Sequence, residues 1–208
     1  MKIESLASRP DMAGRYLTRF SDGSSLRVYR QTLQDFGLYA GMELSDQDYA
    51  RLQEAHDRMS AKMRSVRIVS ASSVSKSDLE RRLIRKGEDP VYAREAVAWM
   101  SDMELVDDRK TAEQIVHSCA GKGYGINRAK QALYEKRIPK EYWQEALADY
   151  PDQTEKIVSF LRSRLGNKWD RQDLNRAIDG ARRRGHIFSE IRAAMAQLQV
   201  DTEEFPED

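Results

Sequence analysis

A block of helical sequence recurs along this chain about every fifty residues after its first copy near residues 79–97. Adding 50 to Leu83, Lys86, Tyr92, Glu95, Ala96 and Val97 lands on Leu133, Lys136, Tyr142, Glu145, Ala146 and Leu147. Adding 98 takes Lys86-Gly87 to Arg184-Gly185, and Ala93, Ala96 and Met100 to Ile191, Ala194 and Leu198, which marks a third copy. Stacked helical repeats touch only their neighbours and build an elongated body with a long continuous face. Such a body suits wrapping a large partner better than enclosing a small substrate.

Composition agrees with several small cores in series rather than one globule, because 33% of the 208 residues are charged and 40% apolar. No stretch approaches the roughly 20 apolar residues that span a bilayer, and the start MKIESLASRP lacks the apolar run of a secretory signal. No membrane association is expected, and a cytoplasmic location is. Cys119 is the sole cysteine, which excludes an internal disulfide and a cysteine-based metal site within one chain. Its place in the helically spaced run Ala112, Ile115, Val116, Cys119 predicts a buried structural thiol.

The net charge is +1, but the last eight residues, DTEEFPED, hold five acids and no base, so the remainder carries about +6. Between Arg162 and Arg184 eight basic residues face only Asp170, Asp173 and Asp179. A cluster of that density attracts phosphate or an acidic protein surface. The acidic tail is expected to be disordered, and it could compete for this basic region when no partner is present.

The first third reads differently from the rest. Residues 15–20 and 26–29 alternate apolar with polar on either side of Ser21-Asp22-Gly23-Ser24, a β-hairpin pattern. Residues 38–44 could add a short strand, and Ser45-Asp46-Gln47-Asp48 resembles a capping box opening a helix through Tyr49, Leu52, Ala55, His56, Met59 and Met63. Residues 70–77 read as a polar connector, with Ser77 as the cap of the next helix. That helix stops at Lys86-Gly87, and Asp89-Pro90 starts another that buries Ala93, Ala96, Val97 and Met100. The second repeat carries Ala112 to Cys119, then Ala129 to Lys136, then a helix opened by Pro139, with Asp107 or Asp108 capping the first. In the third, Ile157 to Leu165, Asp170 to Arg184 and Ile187 to Leu198 form the three helices. The expected fold is mainly α: an elongated array of three tandem three-helix repeats preceded by a small N-terminal β-hairpin segment. Its divisions are a β-rich segment at 1–48, repeats at 49–106, 107–151 and 152–200, and an acidic tail at 201–208.

Catalytic patterns are missing. Residues 121–125, Gly-Lys-Gly-Tyr-Gly, lack the phosphate-loop spacing and follow a helix, so they read as a turn. His56, His117 and His186 are scattered without metal-ligand spacing, and Asp107-Asp108 sits where a cap belongs. Neither a cofactor nor an enzymatic activity is expected. Trp99 and Trp143 fall on repeated apolar faces and should fill cores. Trp169, between Lys168 and Arg171, could stack on a base or a partner side chain, although burial at a repeat junction is the simpler expectation.

The string from Ser77 to Gly87, SDLERRLIRKG, followed by Leu105-Val106-Asp107-Asp108-Arg109 and by Gly123-Tyr124-Gly125 with Arg128, Leu133, Lys136 and Ile138, resembles the RecX regulators of the RecA recombinase. The hairpin followed by Leu38 to Met42 is similar to members with an added β-rich segment. Arg137 departs from the family's usual glycine, Ile126 from a common proline, and Ala129 and Ala177 from bulkier apolar residues. The resemblance implies a non-enzymatic modulator that lies in the helical groove of the RecA filament on DNA, bridges neighbouring subunits, and lowers ATP hydrolysis and strand exchange in homologous recombination and DNA repair; a monomer is expected. Partner contacts are expected at Arg81, Arg82, Arg85 and Lys86 in the first repeat, Lys122, Arg128 and Lys130 in the second, and Arg162, Arg182, Arg183 and Arg184 in the third. Weak, salt-dependent binding to single- or double-stranded DNA is expected beside the filament. The chief rival is a helix-turn-helix-like protein acting directly on DNA, against which the sequence pI near 7.8 weighs.

Overall fold

The computed structural model describes residues 1–166 and 169–198. Lys168 and the acidic tail at 201–208 lie outside the described residues. The chain divides into two compact units, Met1–Val106 and Asp107–Asp208. Ten α-helices and one small antiparallel sheet occur among the described residues.

In the first unit, β1 (Ile3–Leu6), β2 (Arg15–Phe20) and β3 (Ser25–Tyr29) lie side by side in that order. The hairpin read from the sequence is β2–β3, in register Arg15↔Tyr29 and Thr18↔Leu26, with the Asp22 carboxylate accepting the Ser24 amide at 2.9 Å to shape the turn. The third strand is β1 rather than the expected residues 38–44. That segment does meet β1, through Ile3 N–H to Met42 O at 2.9 Å and Gly41 N–H to Ile3 O at 2.8 Å. It turns through Gly41 at φ 96°, so the ladder stops at a single Lys2↔Glu43 bridge. A short helix absent from the sequence reading, α1 (Arg30–Asp35), follows β3 directly.

Helix α2 (Asp46–Ala71) is capped by Ser45, whose side chain accepts the Asp48 amide, as the sequence implied. It runs eight residues beyond the expected stripe, because no glycine or proline interrupts residues 46–71. At 26 residues it is about 39 Å long and serves two cores. Leu52 packs with Ile3, Phe20, Leu38 and Leu44 under the sheet, where Phe20 meets Tyr49 edge to face at 5.2 Å. Ala61 and Ile68 pack with Leu79 and Leu83 of α3 (Lys76–Arg85) and with Ala93, Ala96 and Met100 of α4 (Pro90–Asp102). The cap of α3 is Ser75, not Ser77: its oxygen accepts the Asp78 amide, which starts the helix two residues early. Asp89 caps α4 ahead of Pro90, as expected.

The second unit holds α5 (Asp108–Gly121), α6 (Ile126–Glu135), a 3-10 turn at Lys140–Tyr142 leading into α7 (Trp143–Leu147), α8 (Thr154–Leu165), α9 (Arg171–Arg183) and α10 (Phe188–Gln197). Asp107 is the cap of α5 and accepts the Arg109 and Lys110 amides. The helix expected after Pro139 therefore comes in two short pieces. Ala112, Val116, Leu133 and Ile138 form one core. Ile157, Leu161, Leu174, Ile178, Ile191 and Met195 belong to the other. Cys119 is buried, and burial pushes its thiol above the ordinary value. Trp143 lies against the first of these cores, and its ring N–H donates to Ile138 O at 3.0 Å. Trp169 is 43% exposed, against the expectation of burial.

One turn is repeated after the middle helix of every three-helix group. The amides of Glu88, Ile138 and His186 reach back five residues to the carbonyls of Leu83, Leu133 and Ala181, at 3.1, 3.0 and 3.3 Å. This is a Schellman closure, and it requires the preceding residue to enter the left-handed region. Gly87 and Gly185 do so at φ 90° and 87°, whereas the third such position is Arg137 at φ 55°. A side chain there costs about 1 kcal/mol. Replacing Arg137 with glycine should therefore raise the unfolding free energy by about 1 kcal/mol, read as a higher urea midpoint at unchanged slope.

Candidate polyanion interface

Two helical stripes bring basic residues together in the first unit. On α2, Arg64, Arg67, Ile68 and Ala71 stand at spacings of three, four and seven; Arg82 and Arg85 of α3 and its C-cap Lys86 repeat the first part of that pattern. With Ser72 these residues line one pocket of about 370 Å³. Arg82, Arg85 and Lys86 were expected from the sequence, but Arg64 and Arg67 were not, because the helix carrying them was read as ending near Met63. The unbroken run to Ala71 was the available signal.

Carboxylates and neutral groups hold part of this lining in place. Arg64 pairs with the buried Glu88, which also accepts from Ser60 Oγ at 3.0 Å. Arg82 contacts Asp78 at 2.8 Å and Ser72 Oγ at 3.3 Å, while Arg81 takes the other Asp78 oxygen at 2.7 Å. Burial opposes ionisation of Asp78, but the bonds from these two arginines outweigh it and keep the carboxyl below its usual range. Arg67 reaches Ala13 O at 3.3 Å. Arg85 and Lys86 are exposed, and their side chains make no hydrogen bond or ion pair among the described residues.

The expected residues of the second unit divide between a joint and open surface. The α5–α6 turn and the α9–α10 turn approach so closely that a Cβ on Gly125 would lie 2.1 Å from Gly185 O. Gly125 N–H donates to Arg184 O at 2.9 Å and Asn127 N–H to Gly185 O at 3.1 Å, so carbonyls of the third helical group satisfy orphan amides that open α6 of the second. Arg184, one of the residues expected to meet a partner, donates to Lys122 O at 3.2 Å and lies over the Tyr124 and Phe160 rings at 5.2 and 5.0 Å. Arg128 pairs with Glu135 at 3.1 Å. Lys122, Lys130, Arg162 and Arg183 are exposed, with no hydrogen bond or ion pair from their side chains among the described residues. Arg182 is exposed in the last turn of α9 and does have a partner. On α6, Tyr134 is 72% exposed and one helical turn from Lys130.

His186 is buried in the same joint, with Nε2 3.2 Å from Gly123 O and Nδ1 3.7 Å from the Glu190 carboxylate. Burial holds the imidazole below its ordinary 6.5, against the opposing influence of Glu190 and the Gly123 carbonyl. No helix among the described residues is long and apolar enough to cross a membrane.

The sequence profile for the second three-helix domain of RecX matches residues 107–147. The regulatory protein RecX of Xanthomonas axonopodis pv. citri (strain 306) is 32% identical over 123 residues, which cover 58% of this chain and 76% of that one. The chain belongs to the RecX family. Its counterpart in Halorhodospira halophila (strain DSM 244 / SL1) is 27% identical over 145 residues, 68% of this chain and 89% of that protein. A crystal structure of regulatory protein RecX superimposes with a TM-score of 0.66 at 19% identity, covering 94% of this chain and 98% of the other. The fold is thus that of RecX structures: mainly helical, with a small sheet at the start.

Two outcomes test the joint of this RecX-family chain. Gly125→Ala should lower stability by about 2–3 kcal/mol through overpacking, seen in chemical denaturation. For His186, the folded pKa lies below the unfolded 6.5, so the unfolded state binds the extra proton first and stability, complete above that pH, declines as pH falls through it. The drop in Tm between pH 7.5 and 5.5 should shrink in His186→Gln; an unchanged drop would remove His186 as its source.

Proposed function

We propose that this protein regulates a RecA recombinase by binding its filament on DNA and lowering ATP hydrolysis and strand exchange, without catalysing a reaction itself. Family membership supports a regulatory role, since its relatives are named regulatory proteins. The observation that carries the DNA-bound filament as target is the gathering of Arg64, Arg67, Arg82, Arg85 and Lys86 around one pocket, a surface built for a polyanionic complex. Further exposed cations in the later groups, Lys122, Lys130, Arg162 and Arg183, add separate contacts whose avidity needs no single strong site. Arg81, Arg128 and Arg184 contribute chiefly by holding the scaffold.

A direct DNA-binding reading draws on one other feature. The exposed Asn127, Lys130 and Tyr134 stand at spacings of three and four on α6, and a positive residue beside an exposed aromatic ring suits contact with phosphate and base. Strong preference for one duplex sequence would favour it. Steady-state ATP hydrolysis by RecA on single-stranded DNA, titrated with this protein, separates the two. A dose-dependent fall at fixed DNA concentration, retained when excess single-stranded DNA is present, is the expected result; unaltered hydrolysis would end the filament reading.

A further inference from the structure

The α2–α3 pocket has more positive charge than the fold uses. Five cations line it: Arg64, Arg67, Arg82, Arg85 and Lys86. Two carboxylates pair with that set, Glu88 with Arg64 and Asp78 with Arg82, and Asp78 is also shared with Arg81 outside the pocket. Three positive charges therefore remain. The carboxyl ends of α2 and α3 close on the same place, since Ala71 and Arg85 are the last residues of their helices and both belong to the lining. Each helix end presents about half a negative charge, so together they offset about one unit. An excess of about two positive charges is left around a cavity of about 370 Å³, the size of a small ligand site.

The chemistry of the lining narrows the ligand. Four of the five cations are arginines, whose planar forks match tetrahedral oxyanions by paired hydrogen bonds. Three of those forks are positioned before any ligand arrives: Arg64 by Glu88, Arg82 by Asp78 and Ser72, and Arg67 by Ala13 O. Arg85 and Lys86, whose side chains have no hydrogen bond or ion pair among the described residues, can close over an incoming group. Ile68, Ala71 and Ser72 supply a small, largely uncharged floor. Preorganised donors lower the ordering cost of binding.

We propose that this pocket is a phosphate-binding site, taking either two consecutive phosphodiesters of a nucleic-acid backbone or the phosphates of a small phosphorylated molecule. It binds them through charge and geometry, independent of base sequence, and it requires no recombinase. This inference deepens the filament reading, since both rest on the same pocket, but it is tested on the isolated protein and can fail while hydrolysis by the recombinase still responds.

The test uses the full chain with Arg85→Glu and Lys86→Glu together, beside a control carrying the same charge change at exposed sites elsewhere, Arg9→Glu with Lys140→Glu. Binding of a fluorescent oligo-dT and of inorganic pyrophosphate is measured from about 50 to 200 mM salt. The pocket variant should lose about tenfold or more in affinity at the low-salt end, while the control keeps close to full affinity. For the oligonucleotide, the slope of log affinity against log salt should become shallower by about 1.4, two contacts at about 0.7 each. Selective loss for DNA alone identifies the backbone as the phosphate source, and loss for pyrophosphate alone identifies a free phosphorylated molecule. Should the reversal melt early, Arg85→Gln with Lys86→Gln carries the same expectation at smaller size. Equal losses in pocket variant and control, or no binding of either probe by the unaltered protein, would overturn the proposal.

Discussion

The closure at the end of each middle helix is the constraint on which the rest depends. After α3, α6 and α9, one residue turns into the left-handed region and the amide of the following residue bonds back to a carbonyl five positions earlier. That bond satisfies orphan carbonyls and fixes the direction in which the chain leaves. It also drives the residue after the turn inward: Glu88, Ile138 and His186 are all buried. The three groups share a backbone device, and they differ in what that device buries.

Those differences govern the chemistry. Ile138 joins an apolar core, the ordinary outcome of such a turn. Glu88 is a carboxylate in the same place and must be paired to be buried, so it collects Ser60 and Arg64 from α2. The closure of α3 thereby recruits an arginine from a helix that begins under the β-sheet, and the pocket's lining follows from it. His186 meets Gly123 O of the α5–α6 turn on one side and Glu190, four residues on in α10, on the other, and burial holds this titratable ring below its ordinary pKa. A single repeated bond thus positions both the basic pocket and the contact between successive helical groups.

The cations of this chain fall into two structural sets. Arg184, lying over Tyr124 and Phe160 and bonded to Lys122 O, and Arg81, held by Asp78, act within the scaffold. Arg85, Lys86, Lys130 and Arg183 have their charge directed to solvent. Exposed pairs contribute little to stability, so cations left unpaired at the surface are available for recognition at small structural cost. A near-neutral protein can in this way present strong local positive potential, which net charge alone conceals.

Much of the fold was legible because it rests on local rules. Periodic apolar residues, Asp89-Pro90, the Lys-Gly steps and the Asp-Gly turn each specify conformation through neighbours in the chain, and they sufficed for the three-helix groups and the β2–β3 hairpin. Family resemblance carried in SDLERRLIRKG added the regulatory class. Missing were strand β1, whose partners run from Phe20 opposite Ile3 to Thr18 opposite Leu6, beyond the reach of any local turn signal, the reach of α2 to Ala71, and therefore Arg64 and Arg67. The charge of Arg184 was visible in the sequence, and its packing over Tyr124 and Phe160 was not. Which basic residues pair within the scaffold and which stay exposed without such a bond was decided only by tertiary structure, because pairing depends on distances between helices that no spacing along the chain encodes.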